Sequence, residues 1–210
     1  MMKKLIISPH IDDEVLGCGG ILDEDTFVLY CGMDEAHIKH DWVRNRPSVE
    51  NRLDELKSVV EVTKHSYDIL HNKVNHYVIQ DLIGSVEKSI NDLKPLEIYI
   101  PHPSYNQDHK SVYNATMISL RPHDTNYFVP KVFLYEQPQV YFWNTTDRDF
   151  NANYFVEIDI DKKIKVYETM KSQVRSFRSF EHLRSNAKIR GGQSNCEYAE
   201  AFEIIRWVNG

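Results

Sequence analysis

Short apolar runs alternate with segments of helical spacing along most of this 210-residue chain. The apolar runs predict strands at KKLIIS, DTFVLYCGM, SYDIL, LEIYIPHP, KVFLYEQP and YFVEIDI. Helices are predicted at SVENRLDELKSVVEVTKH, DLIGSVEKSINDLK, DHKSVYNATMISL, KKIKVYETMKSQVRSF and CEYAEAFEIIRWV. Strands that alternate with helices favour a mostly parallel sheet with helices on both faces. Because no repeat or linker interrupts the pattern, we expect an α/β fold in a single domain, residues 1–210.

Charge and cysteine content restrict the class of protein. The formal net charge of −6 offers no basic surface of the kind that nucleic-acid binding requires. The three cysteines, Cys18, Cys31 and Cys196, are far apart and predict neither a disulfide framework nor a CxxC site. The N-terminal apolar run is too short for a signal peptide, and no stretch has the length of a membrane span. We therefore expect a cytoplasmic protein with no nucleic-acid partner and no membrane span.

Two clusters of histidine and acidic residues follow predicted strands, in SPHIDDEVLGCGG and PHPSYNQDHK. In open α/β sheets, ligands bind at the carboxyl ends of the strands. The two clusters would converge there on one metal ion if their strands are neighbours. Alternatively, the acids after the first strand only cap the next helix and interact with its dipole. The residues concerned are His10, Asp12, Asp13, His102, Asp108 and His109.

Four segments of the chain together resemble the LmbE-like, or PIG-L, zinc deacetylases. PHIDDEVLGCGG resembles the PHPDDE…G.GG signature of that family, and NRLDELKSV looks like its R-x-x-E helix. NQDHKSVYNA is similar to the H-x-D-H motif, and RGGQSNCEYAEAF resembles the closing R-G…Y-A-E-A-F segment. The matches occur in the order of the family and span nearly the whole chain. The resemblance implies a Rossmann-like α/β fold, a mononuclear zinc site and hydrolysis of an N-acetyl group, typically from an N-acetylglucosamine unit.

The resemblance also implies roles for the matched residues. It makes His10, Asp13 and His109 the ligands of one zinc ion per chain, although another divalent ion would find the same donors acceptable. Two histidines and one carboxylate leave the fourth position of a catalytic zinc open for water. Asp12 is then the general base, because a carboxylate that accepts a proton from that water cannot also be a ligand. Asp108 is expected in the catalytic site, where it would orient a ligand or the backbone.

Two positions depart from the family pattern. Ile11 replaces a proline, which changes the stiffness of the loop. Asn106 stands where the family usually has a histidine that stabilises the oxyanion and assists the leaving amine. An amide can donate a hydrogen bond to an oxyanion, but it cannot give up a proton at neutral pH. We therefore expect Asp12 to return the proton to the amine, with His102 and Tyr105 as the other groups close in sequence.

Candidate substrate contacts are Arg52, Tyr105 and Arg190. The resemblance places Arg52 near the sugar, whereas its alternative role is an ion pair on the surface of a helix. Arg190 ends KSQVRSFRSFEHLRSNAKIR, the one strongly basic stretch of this acidic chain. That stretch is either a solvated helix and loop or an anion clamp for a nucleotide- or lipid-linked sugar.

The expected function is a zinc-dependent N-deacetylase that acts on a small aminosugar conjugate. Asn106 leaves open a non-catalytic zinc- or sugar-binding relative. A metal-dependent phosphoesterase is a further alternative, although such enzymes often use two metals and more carboxylate ligands. GCGG does not match G-x-G-x-x-G, so a dinucleotide-binding module is not supported. The sequence defines neither the acyl group nor the oligomeric state.

Overall fold

A seven-stranded sheet organises residues 3–34, 47–138 and 149–209, which the computed structural model describes. The sheet order is β3-β2-β1-β4-β5-β7-β6. The pairs β3–β2, β2–β1, β1–β4 and β4–β5 are parallel, whereas β7 is antiparallel to both β5 and β6. The mostly parallel sheet predicted from the sequence is therefore confirmed. The strands are β1 (Lys4–Ser8), β2 (Thr26–Asp34), β3 (Ser66–Lys73), β4 (Glu97–Pro101), β5 (Lys131–Tyr135), β6 (Tyr154–Glu157) and β7 (Ala199–Trp207).

Helices cover both faces of this sheet. Side chains of β1 alternate between the two faces, so Ile6 packs into one apolar cluster and Leu5 and Ile7 pack into the other. The cluster around Ile6 contains residues of α1, α2, α5 and α6, and the other contains residues of α3 and α4. None of the described helices has the length and apolar character needed to cross a bilayer. The helices are α1 (Asp13–Cys18), α2 (Val49–Thr63), α3 (Ile79–Leu93), α4 (Gln107–Ser119), α5 (Ile160–Tyr167) and α6 (Phe180–Ser194).

The sequence-based assignment of CEYAEAFEIIRWV as a helix is wrong, because this segment forms β7. Alanine and glutamate favour helices, which explains the error. The first five residues of β7 are all buried, so the strand lacks the alternation by which a half-buried strand is recognised. Its glutamates Glu200 and Glu203 are buried against Lys163 and the Asn151 N–H. The helix of this region lies earlier, in α6, which Asn195 ends in a left-handed conformation.

The predicted helix KKIKVYETMKSQVRSF is also too long. Helix α5 ends at Tyr167, and two short 3₁₀ turns follow at Lys171–Gln173 and Ser176–Arg178. The Tyr167 hydroxyl donates to the Gln173 carbonyl at 2.9 Å, and the Ser172 N–H donates to Glu55 of α2 at 2.7 Å. The first contact lies within the segment itself, whereas the contact with Glu55 comes from another helix, 117 positions away, and the local sequence does not contain it.

A buried ion pair joins α1, α5 and β7. The Lys163 Nζ lies 2.7 Å from Glu200 Oε1 and donates to the Leu16 carbonyl at 2.8 Å. The same carboxylate oxygen accepts from the Gly20 N–H at 2.8 Å. Each side chain is about one-twentieth exposed, so neither charge has water as a substitute partner. The pair therefore fixes the end of α1 against α5 and β7.

We expect Lys163→Met to lower the free energy of unfolding by about 3–5 kcal/mol, because it leaves Glu200 charged and buried without its partner. Urea unfolding followed by circular dichroism measures this change. Lys88→Met is the matched control, because Lys88 pairs with Asp92 on the exposed surface of α3 and should contribute little. Equal, small effects of the two substitutions would contradict the role given to the buried pair.

Candidate active site

The parallel pairing of β1 with β4 brings the two histidine–acid clusters to one edge of the sheet. His10 lies in the turn after β1, Asp13 begins α1, and His109 lies in the first turn of α4. One potential ligand atom from each of these three side chains lies within 4.8 Å of the other two. The structure thus brings together the three residues for which the resemblance implies zinc ligation.

Hydrogen bonds to carboxylates orient the two histidines. The Asp13 Oδ2 lies 3.1 Å from His10 Nδ1 and 3.1 Å from His109 Nε2. The other ring nitrogen of His10, Nε2, lies 3.1 Å from Asp108 Oδ2, which also accepts from the Asn75 N–H at 2.6 Å. A histidine that binds a metal commonly donates its second N–H to a carboxylate in this way. Asp108 therefore contacts the atom of His10 from which it can orient the ring.

The charges of this cluster stabilise one another. Burial disfavours a charged imidazole, but hydrogen bonds to Asp108 and Asp13 raise the pKa of His10 to about 10. Burial also disfavours a charged carboxylate, but His109 and His10 hold the pKa of Asp13 well below its usual range. The cluster therefore holds a buried carboxylate in its charged form.

The donor set of this cluster fits a divalent metal ion. Two imidazoles and one carboxylate are the ligands of many catalytic zinc sites that keep a position open. The Asp13 Oδ1 and the His109 Nδ1 are buried and have no hydrogen-bond partner in the described part of the chain. A buried carboxylate oxygen without a partner is costly, and a cation beside it removes that cost. The residues present are therefore compatible with the metal that the resemblance implies.

Asp12 has different surroundings from its neighbour Asp13. Its backbone has φ 153°, which residues other than glycine rarely adopt, and its N–H donates to Glu14 Oε2 at 3.0 Å. Burial and the charge of Asp12 raise the pKa of Glu14 to about 8. The Asp12 Oδ2 accepts from Arg178 Nη1 at 2.7 Å, and Asp12 is not part of the three-residue cluster. The two adjacent carboxylates therefore have different neighbours: Asp13 lies between two histidines, and Asp12 lies against an arginine.

The candidate substrate residues lie in three different environments. Arg52 is only 4% exposed and donates through Nη2 to the Ile11 carbonyl, so it is not a surface side chain of α2. Arg190 forms an ion pair through Nε and Nη2 with both carboxylate oxygens of Glu136. Tyr105 is 44% exposed in the loop before α4. A substrate role for these three residues stays a prediction.

Asn106 caps α4 in addition to any chemical role. Its Oδ1 accepts from the Asp108 N–H at 2.8 Å, so the side-chain NH₂ is the group left to donate elsewhere. His102, the alternative acid, is completely buried just after β4, and its backbone N–H donates to the Tyr135 carbonyl at 3.1 Å. Its ring makes an edge-to-face contact with Phe150, with ring centroids 5.5 Å apart.

Two residues that contact Asp12 were not linked to it by the sequence analysis. Arg178 belongs to the basic stretch, and nothing in the sequence singles out Gln173. The side-chain amide of Gln173 is best oriented with its nitrogen donating to Asp12 Oδ2 at 3.0 Å and its oxygen accepting from Arg52 Nη1 at 2.6 Å. An anion clamp is one of the two interpretations of the basic stretch, but Arg178 contacts an aspartate of the chain itself. Other cations of the stretch also face acids: the pairs are Arg184–Asp161, Lys188–Glu197 and Arg190–Glu136.

More than half of the chain matches a known family. Residues 5–120 match the family model described as PIG-L: GlcNAc-PI de-N-acetylase. The matched region includes both histidine–acid clusters and α2. No match is found among curated proteins.

Solved structures of similar fold include three that span nearly the whole chain. A conserved protein from Thermus thermophilus is 18% identical, with a TM-score of 0.77 over 100% of this chain and 97% of that one. The N,N'-diacetylchitobiose deacetylase from Pyrococcus horikoshii is 18% identical, with a TM-score of 0.76 over 98% and 84%. The 4-carboxy-2-hydroxymuconate hydratase GalB from Pseudomonas putida is 18% identical, with a TM-score of 0.73 over 100% and 99%. Similarity at this level establishes a shared fold.

We expect His10→Ala and His109→Ala each to abolish stoichiometric zinc binding, since each removes one of three clustered donors. Elemental analysis of the purified proteins measures the metal content. His71→Ala is the control, because His71 is exposed on β3 and lies outside the cluster. Full zinc retention in both cluster variants would rule out this ligand set.

Asp108→Asn should weaken zinc binding by roughly 10- to 100-fold without abolishing it, because Asp108 orients His10 rather than providing a donor of the cluster. Competition titration against a chelator of known affinity measures the change. An affinity equal to that of the wild type would show that the Asp108–His10 contact has no part in metal binding.

Proposed function

The chain belongs to the PIG-L, or LmbE-like, family, and from this premise we propose that it is a metal-dependent N-deacetylase of an aminosugar conjugate. The observation that carries the proposal is the cluster of His10, Asp13 and His109 with Asp12 next to it but outside it. Hydrolysis of an amide needs an activated water and a group that moves its proton, and these residues provide for both. The fold alone does not choose this reaction, since a deacetylase and a hydratase share it.

We propose that His10, Asp13 and His109 hold one zinc ion per chain. A zinc ion at such a site would lower the pKa of a bound water towards about 7 and polarise a carbonyl group. Asp108 keeps the His10 ring turned so that Nδ1 faces Asp13, because it holds the opposite nitrogen. Three clustered ligands among the described residues suit one ion better than the two ions of many phosphoesterases.

Asp12 moves the proton in this proposal. It accepts a proton from the water that attacks the amide carbon, and it returns that proton to the nitrogen when the C–N bond breaks. The products are acetic acid, which ionises to acetate at neutral pH, and the free amine of the sugar. Because one carboxyl group serves both steps, Asn106 has only to donate a hydrogen bond from its NH₂ group to the developing oxyanion.

The proposed substrate is a small sugar conjugate. The family description names a GlcNAc conjugate, and the diacetylchitobiose deacetylase is named for a sugar substrate. The exposed ring of Tyr105 is the candidate for contact with the sugar. We propose that residues 1–210 act as one domain, which is supported by the single sheet that joins strands from both ends of the chain.

Asp12→Asn is expected to lower the rate of acetate release by about 10²- to 10⁴-fold while zinc content stays at one ion per chain. The asparagine keeps the shape of the side chain but cannot accept a proton. Acetate release is measured by mass spectrometry on a panel of N-acetylated sugars, nucleotide sugars and lipid glycosides. Asp54→Asn is the matched control, because Asp54 pairs with Lys57 on the exposed face of α2.

Two outcomes would contradict the proposed function. Loss of zinc from Asp12→Asn would make Asp12 a ligand and reverse the roles of the two aspartates. A wild-type protein that binds zinc, releases no acetate from any N-acetylated sugar and instead hydrates an unsaturated acid would belong with the hydratase.

A further inference from the structure

The two carboxylate oxygens of Asp12 have unequal surroundings. Oδ2 accepts from Arg178 Nη1 at 2.7 Å and, with the amide orientation given above, from Gln173 Nε2 at 3.0 Å. Oδ1 lies 3.8 Å from Arg52 Nη2, which is beyond hydrogen-bond distance. The Asp12 side chain is buried, so these neighbours define its orientation. Oδ2 is therefore held in place, and Oδ1 is the oxygen that can accept a proton.

The segment that holds Asp12 is itself held by α2. Gln173 and Arg178 lie on the two 3₁₀ turns after α5. Glu55 of α2 accepts from both the N–H and the hydroxyl of Ser172, each at 2.7 Å. Glu55 therefore fixes the residue next to Gln173, and it does so with both carboxylate oxygens.

The peptide group between Ile11 and Asp12 is held at both its carbonyl and its N–H. Arg52 donates to the carbonyl of the preceding residue, Ile11, and Glu14 accepts from the Asp12 N–H at 3.0 Å. A positive φ of 153° persists only where the surroundings determine it, and these two contacts belong to those surroundings. Arg52 and Glu55 are the two matched residues of the R-x-x-E segment. Both therefore act on the Asp12 turn or on the segment that contacts it.

We propose that Arg178 is a positioning residue for Asp12, and that Arg52 and Glu55 complete the same support instead of contacting the sugar. The proposal rests on the proposed function, because it takes Asp12 as the group that accepts the proton. A rival account makes Arg178 a block that occupies Asp12 until the substrate displaces it. The two accounts predict opposite changes in turnover when the arginine is removed.

We expect Arg178→Met to lower kcat by about 100-fold with KM changed less than about threefold, because a small displacement of a catalytic group costs a factor of this order. Arg178→Lys should recover part of the loss, since one guanidinium nitrogen makes the contact and an ammonium can replace it. Zinc content should not change in either variant. Arg184→Met, in the same basic stretch but paired with the exposed Asp161, is the control. An unchanged or higher kcat in Arg178→Met would overturn the proposal.

A second measurement does not depend on activity. In metal-free protein, Arg178→Met and Asp12→Asn are combined in a double-mutant cycle, and the shift in Tm is measured for each variant. If Arg178 holds Asp12, the second substitution should add little to the shift caused by the first. Additive shifts would overturn the contact. A wild type without deacetylase activity but with strong coupling would refute the proposed function and support the contact, so the two failures are distinguishable.

Discussion

The candidate site depends on the parallel pairing of β1 with β4. The register pairs Lys4 with Glu97 and Ile6 with Tyr99, so the carboxyl ends of the two strands open at the same edge of the sheet. The chain leaves β1 towards β2 on one side and returns to β4 on the other, which is where α/β sheets form a crevice for ligands. This pairing brings His10 and Asp108, 98 positions apart in the chain, to 3.1 Å.

The glycines after the first motif serve close packing. A Cβ atom on Gly17 would lie 2.3 Å from the Tyr135 ring, and one on Gly20 would lie 2.3 Å from the Ile158 side chain. Only glycine therefore allows α1 to lie this close to the end of β5 and to the segment after β6. Because Asp13 is the first residue of α1, the position of a candidate ligand depends on this packing and on the buried Lys163–Glu200 pair.

The adjacent residues Asp12 and Asp13 have identical side chains but different surroundings. Asp13 lies between two imidazoles, whereas Asp12 lies against Arg178, which contacts one of its two carboxylate oxygens. Asp12 has a positive φ in this arrangement. Helix α2 contacts the peptide before Asp12 and also holds the 3₁₀ turns that contact its side chain. Since deacetylase and hydratase share this fold, such local networks rather than the sheet must decide the reaction.

The sequence by itself determined the strands β1 to β5 and the helices α2, α3 and α4, because apolar periodicity and capping residues such as Ser48 and Asn106 act within a few positions. It also determined the motif residues and the family. Only the tertiary structure decided β7, whose first five residues are all buried and therefore lack a periodic signal. Only the tertiary structure placed Arg178 on Asp12 and Glu55 on Ser172, contacts that span 166 and 117 positions. Such contacts depend on how the sheet and helices pack, and no local pattern of residues encodes them.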